Sequence, residues 1–187
     1  MIAPFAIPVT PYAAARAAAL EALVPVLRTP RCILRAPRLT DFDALHGITG
    51  TERGAHMGGP WTAEQTWSDF CGMTATWLLR GHGVWTIEHA DDVAGFVLIG
   101  TEPGDAEHEL GWLLIDRFEG QGLAFEAAAA ARDHARHALR LPSLASYVTI
   151  GNARSERLAA RLGGRPAGTA YDGTVTIWRH WNAGETT

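Results

Sequence analysis

The residues with the clearest chemical capacity lie in one run, Leu113-Leu114-Ile115-Asp116-Arg117-Phe118-Glu119-Gly120-Gln121-Gly122-Leu123-Ala124. An apolar, strand-like stretch enters a loop with two glycines, and an Ala-rich helical stretch leaves it. The first-turn amides of such a helix have no intrahelical acceptor and lie at the positive end of its dipole, so together they form an anion site. Gly120 and Gly122 carry no Cβ to hold a phosphate off the backbone. Arg117 adds a guanidinium suited to phosphate oxygens. Two common phosphate loops fail against the letters. There is no Gly-Lys-Ser/Thr, hence no P-loop. A dinucleotide fingerprint needs a small residue three places after Gly122, where Phe125 stands, and the strand opens no clean βαβ unit.

The elements that must position this loop can be read on either side of it. Pro4, Pro8 and Pro11 keep the first residues extended, and Tyr12 to Leu23 is Ala-rich and helical; residues 1–29 read as an N-terminal extension. A short strand at Cys32–Leu34 precedes a helix from about 41 to 49, with Thr40 as its capping hydroxyl. Gly54, Gly58, Gly59 and Pro60 form a loop. Thr62-Ala63-Glu64-Gln65 is a capping box for a helix reaching about Arg80, closed by Gly81 and Gly83. Strands follow at Val84–Glu88, Val93–Thr101 and Glu109–Ile115, with Asp91-Asp92 and Pro103-Gly104-Asp105 as turns. A long helix runs from about Gln121 to Arg140, then a strand at Leu144–Ile150 and a helix at Asn152–Leu162 ended by Gly163. Two last strands flank Asp172-Gly173, a two-residue hairpin signal. The order β-α-α-β-β-β-α-β-α-β-β is a mixed α/β layer fold on one sheet.

These motifs, taken in order, resemble the GNAT superfamily of N-acetyltransferases. Arg117-x-x-Gly120-x-Gly122-x-Ala124 is similar to its pyrophosphate-binding motif. Glu109-Leu-Gly-Trp112 through Glu119-Gly-Gln-Gly-Leu-Ala and Asn152-Ala-Arg-Ser155 through Gly163 resemble the branch of ribosomal-protein alanine N-acetyltransferases (RimJ/RimL-type), as do Arg31–Arg35 and Leu39–Asp43. The likeness covers roughly residues 29–181 and implies a domain over 30–182 followed by a tail at 183–187. It implies the GNAT fold: a single, mixed but mostly antiparallel twisted sheet, splayed between its fourth and fifth strands and flanked by helices.

The same resemblance implies acetyl-CoA as cosubstrate, with no metal. Its pyrophosphate would sit on Arg117, Phe118, Glu119, Gly120, Gln121, Gly122, Leu123 and Ala124. Its pantetheine arm would pair with Leu113, Leu114 and Ile115 as an added strand, and with Asn152. Transfer to a primary amine needs a neutral nitrogen: an α-amino group has a pKa of about 7.7–8.0, whereas a lysine near 10.4 must first lose about 4–5 kcal/mol. Glu109 reads as the base or water relay, or else as a solvated strand-end carboxylate. A backbone N–H near Leu114 would hold the oxyanion. Ala159 stands where many members carry a tyrosine beside the leaving sulfur. In the alanine-acetylating branch a serine in the position of Ser155 takes that part, so Ser155 is implied both at the sulfur and in the cofactor site; the plainer reading is ordinary first-turn helix chemistry. Trp61 and Trp112 would wall the acceptor pocket. The alternatives are an acyl-CoA-binding module with little catalysis, motivated by Ala159, or another acyl donor.

Bulk properties bound these readings. A net charge of −4 argues against a nucleic-acid partner. Two distant cysteines, Cys32 and Cys71, suggest neither zinc nor redox chemistry. His134 and His137 lack a third ligand and read as a solvated face. Without a basic leader or an 18-residue apolar run, no membrane partner is expected and the chain reads as cytoplasmic. The acceptor, a small-molecule amine or a protein N-terminus, stays open, as does monomer or homodimer.

Overall fold

The computed structural model describes residues 3–184. Met1 and Ile2 of the expected extension, and the last three residues of the expected tail, lie outside the described residues. The strands are β1 (Leu27–Arg28), β2 (Ile33–Arg35), β3 (Val84–His89), β4 (Asp92–Gly100), β5 (Glu109–Leu114), β6 (Leu144–Thr149), β7 (Arg165–Ala170) and β8 (Val175–Trp181). They form one sheet in the order β1-β2-β3-β4-β5-β6-β8-β7. Only β5 and β6 run parallel, and they share a single residue pair, Glu109 with Ala145. This is the expected splay. It falls between the fifth and sixth strands because Leu27–Arg28 pairs with β2, so the sheet starts inside the stretch read as an extension.

Side chains alternate between the two faces of the sheet. Trp85 and Ile87, Val97 and Ile99, and Leu110 and Leu114 point to one face, where they pack on α4 (Leu123–His137). That helix presents Ala127, Ala128, Ala131 and Ala135, all fully buried; their small size lets it lie close to the sheet. α5 (Ala153–Arg161) adds Leu158 to the same core. Val84, Phe96, Leu98 and Leu113 point to the other face, against α2 (Phe42–Thr49) and α3 (Ala63–Arg80). α1 (Pro11–Glu21) contributes no buried residue, whereas Phe5 ahead of it stacks on Phe42 at 4.4 Å.

Local chemistry explains most element ends. Thr62 and Gln65 form the expected capping box on α3, and Gly81 closes it with φ 72°. The cap expected for α2 is different. Asp41, not Thr40, organises its start: it is 1% exposed, pairs with Arg35 at 2.8 Å, and accepts from the Arg38 amide and the Thr86 hydroxyl. A carboxylate that satisfies a buried guanidinium outweighs a solvent-facing hydroxyl. Two turns also shift. The β3–β4 turn bends at Ala90 and Asp91, with φ of 51° and 65°, one residue before the expected pair. The β7–β8 connection is a short 3-10 turn, Tyr171–Gly173, longer than a two-residue hairpin.

Candidate active site

The parallel pairing of β5 and β6 fixes the site. Both strands open in the same direction, so the two helices that follow them begin at the same open end of the gap. α4 starts at Gly122, whose φ is 80°, and α5 at Asn152, whose Oδ1 accepts from the Ser155 amide at 3.2 Å. The first α4 bond runs from the Glu126 amide to the Gly122 carbonyl. The amides of Leu123, Ala124 and Phe125 therefore precede any intrahelical partner. Two positive dipole ends converge on one mouth. At Gly122 an added side chain would be strained by the left-handed backbone and would meet Arg31 at 3.4 Å.

Register says which backbone groups face the gap. The Ile115 amide donates to Ala94 across the β4 seam, and the Ala145 amide donates to His108 across the β6 seam. In an antiparallel pair, alternate residues turn both polar groups to the same neighbour. Residues 109, 111, 113 and 115 thus face β4, while Leu110, Trp112 and Leu114 face the gap. The expected cofactor contacts at Leu113 and Ile115 are spent on β4 as far as backbone is concerned. The Leu110 carbonyl accepts from the Ser146 hydroxyl at 2.7 Å, and the Leu114 carbonyl from Arg53 at 3.0 Å. The backbone of Trp112 and the Leu114 amide are the groups directed into the open part.

Glu109 stands where the two strands still touch, with its side chain on the α2/α3 face and the Tyr147 amide bonded to its carboxyl. Burial pushes its pKa up to about 8; the nearby Glu102 and Asp105 add to the rise, and the Tyr147 amide opposes it. Glu102 is itself raised by burial and by Asp105. On α3, Asp69 is raised to about 6 by burial and then by Glu102. Asp69 and Trp61 line an open cleft of about 500 Å³ with Glu64, Gln65 and Ser68. Trp112 does not share that cleft. It belongs to the opposite face of the sheet, and its indole Nε1–H donates to the Ser155 hydroxyl at 3.3 Å. Trp61 and Trp112 were expected to wall one pocket; the alternation of β5 turns the Trp112 side chain away from the cleft that Trp61 lines. Ala159 is fully buried.

The loop residues divide. A groove of about 730 Å³ runs past Gly120, Gln121 and Gly122 and is bordered by Arg28, Arg31 and Arg161 and by Glu126 and Asp133, with Glu126 paired to Arg31. Glycine backbone and an excess of cations over carboxylates suit a phosphate-rich ligand. Arg117 does not border that groove. Its guanidinium lies 4.7 Å from the Phe118 ring centre and 3.4 Å from Asp92, with Phe118 buried beneath. Glu119 pairs with both Arg53 and Arg154. Arg53 also pairs with Asp116 at 2.8 Å. The Gln121 side chain closes the loop on the Arg117 carbonyl at 2.8 Å.

Sequence reasoning missed Arg31 and Arg53, whose contacts span 95 and 61 to 66 positions. No local pattern announces such pairs. Glu126, read from the helix dipole, binds Arg31 through both carboxylate oxygens and the Thr29 hydroxyl through one. Those bonds outweigh burial and hold its pKa below the usual value. The aromatic residues Trp67, Trp77 and Trp85 pack in the core as their positions suggested. His134 differs from its expected solvated state, since it packs edge-on against Trp85 at 5.6 Å. Among the described residues no group of three or more His, Cys, Asp or Glu could hold a metal. Among them, too, no helix is long and apolar enough to cross a membrane.

Residues 31–165 match the model of the acetyltransferase (GNAT) domain. The chain is similar to an acetyltransferase of Agrobacterium tumefaciens, at 37% identity and a TM-score of 0.80, over 85% of this chain and 95% of that one. A GNAT-family acetyltransferase of Bacillus anthracis shares the fold at 18% identity and a TM-score of 0.67, over 83% and 96% of the two chains. So does RimL, the ribosomal L7/L12 alpha-N-protein acetyltransferase solved with coenzyme A, at 16% identity and a TM-score of 0.70, over 86% and 100%.

Proposed function

The chain belongs to the GNAT acetyltransferases, and from that premise we propose that it moves the acetyl group of acetyl-CoA onto a primary amine by direct attack in a ternary complex. The observation that carries this reading is the gap between β5 and β6. It has outward-facing backbone at Trp112 and Leu114, two helix N-termini at its mouth, and Glu109 and Ser155 on its opposite sides.

The pyrophosphate sits on the amides from Gly120 to Ala124, with Arg31 and Arg161 beside them. The pantetheine arm takes the Trp112 carbonyl, the Leu114 amide and the Asn152 side chain. The Trp112 amide, nearer the closed end where Glu109 stands, donates to the thioester oxygen, where negative charge grows as the amine attacks. Glu109 takes the amine proton, directly or through water. A pKa near 8 matches an α-amino group, so proton transfer between the two is close to balanced. The nitrogen lone pair forms the C–N bond. As the C–S bond breaks, its electron pair goes to sulfur, and Ser155 supplies a proton there and regains one from solvent. The acceptor is a protein N-terminus or a small amine. A second reading, an acyl-CoA-binding module with little turnover, draws on the buried Ala159 in place of a tyrosine hydroxyl.

Thiol release from acetyl-CoA with a panel of amines and N-terminal peptides separates the two readings, and other acyl-CoA donors in the same assay test donor choice. Gly122→Trp should abolish both turnover and the thermal stabilisation by acetyl-CoA. At 100 times Kd that stabilisation is about 2.7 kcal/mol, or roughly 5–10 °C for a chain of this size. An undiminished shift in the variant sinks the site; binding without turnover across the panel in the unmodified chain favours the module.

A further inference from the structure

The Trp112–Ser155 contact gives Trp112 a task different from walling an acceptor pocket. Its indole Nε1–H lies 3.3 Å from Ser155 Oγ, across 43 positions of sequence. An indole N–H only donates, so Ser155 Oγ is necessarily the acceptor in this bond. Ser155 is held a second time through its own amide, which donates to Asn152 Oδ1 in the α5 cap. The cap fixes the backbone of the first turn, and the indole fixes the rotation of the side chain. With one lone pair of Oγ engaged by Trp112, the Ser155 O–H is turned away from the indole. Trp112 can reach Ser155 only because its side chain projects to the α4/α5 face while its backbone faces the gap.

Resting on the acetyl-transfer reading above, we infer that Trp112 is a positioning residue for the leaving-group step: its indole N–H orients the Ser155 hydroxyl and makes it a better proton donor to the departing sulfur. In that step the C–S bond breaks with its electron pair on sulfur, the Ser155 proton moves to sulfur, and solvent returns a proton to Oγ. The indole keeps its own proton throughout. The Nε1–H···Oγ hydrogen bond strengthens as negative charge grows on Oγ, because a bond to an ionising acceptor is stronger than one to a neutral hydroxyl.

The test is a double-mutant cycle on the full chain with Trp112→Phe and Ser155→Ala, read as kcat and KM for acetyl-CoA and for an amine identified in the panel. Trp112→Phe keeps an aromatic ring and removes the donor. It should lower kcat by about ten-fold, the order of one hydrogen bond, with KM for acetyl-CoA within about two-fold of the unmodified chain. In the Ser155→Ala background, Trp112→Phe should change kcat by less than about two-fold, because the hydroxyl it orients is gone. An unchanged kcat in Trp112→Phe overturns the inference, as does a loss that appears only in the amine KM or that multiplies in full with the Ser155→Ala loss. If the unmodified chain releases no thiol with any amine, the transfer reading fails and this inference with it. Active unmodified chain beside unaffected Trp112→Phe removes the inference alone.

Discussion

β5 has two edges, and they are built to opposite ends. Toward β4 it is closed over its whole length, with six residue pairs from Gly100–Glu109 to Gly95–Leu114. Toward β6 it makes one pair and then parts. The closed edge depends on a close approach: at Gly95 a Cβ would lie 2.1 Å from the Leu113 carbonyl oxygen. The open edge depends on braces. Arg53 donates to the Leu114 carbonyl at the end of β5, and the Thr149 hydroxyl at the end of β6 donates to the His56 carbonyl at 2.8 Å. One short segment, Glu52–Met57, thus grips both parted strands. An unpaired strand edge is ordinarily an aggregation hazard. Here side chains brace the parted strands, and the Trp112 backbone and the Leu114 amide face the gap. One rigid seam thus serves as the reference against which a second, unmade seam is positioned.

Breaking the closed edge should have the largest effect. Gly95→Ala forces the β4 and β5 backbones apart and should cost about 3 kcal/mol, a fall in Tm of roughly 10 °C. A melting curve matching the unmodified chain would show that the seam tolerates the extra atom.

Glu109 sits at the hinge between the two edges and should report on both chemistry and stability. Glu109→Gln should lower kcat/KM by about 100-fold. The alkaline rise of the unmodified chain, governed by a pKa of about 8, should disappear from its pH profile. The stability consequence has a definite sign. The folded state holds this proton more tightly than the unfolded chain, whose carboxyl titrates near 4.5. The stabilising contribution is therefore complete below about pH 4.5 and is lost as pH climbs through about 8. Glu109→Gln should flatten that part of the Tm-against-pH curve. A profile that keeps the same rise with glutamine in place assigns the base elsewhere.

The smallest effect tests the brace. Arg53→Ala frees the Leu114 carbonyl and releases Asp116 and Glu119, partly exposed pairs of modest worth. KM for acetyl-CoA should rise by a factor of about three to ten, with kcat nearly unchanged. Equal KM values would mean that the gap keeps its width without Arg53.

Much of the fold was legible because its signals are local. The Thr62–Gln65 box, the Gly81 stop, the alternating runs of β3 to β5 and the double glycine before α4 each act within a few residues. The cap at Thr40 failed for a non-local reason: Asp41 is held by Arg35 and Thr86, and Thr86 is 45 positions away. β1 was missed because two residues are too few to show alternation. Of the proposed site, Gly120, Gly122, Asn152 and Glu109 were named from type and order. Arg31, Arg53 and Arg161 were not, because arginines scattered along a chain carry no spacing until the fold gathers them.

The order of elements, the two-glycine loop ahead of α4 and the kinship with acetyltransferases could be read from the letters alone, since these rest on propensity, period and motif within short windows. The tertiary structure alone decided which edge of β5 stays open, which face each tryptophan serves, and why a strand-end glutamate keeps its proton to about pH 8. Those are matters of register, burial and neighbouring charge, and they arise only when residues far apart in the chain share one small volume.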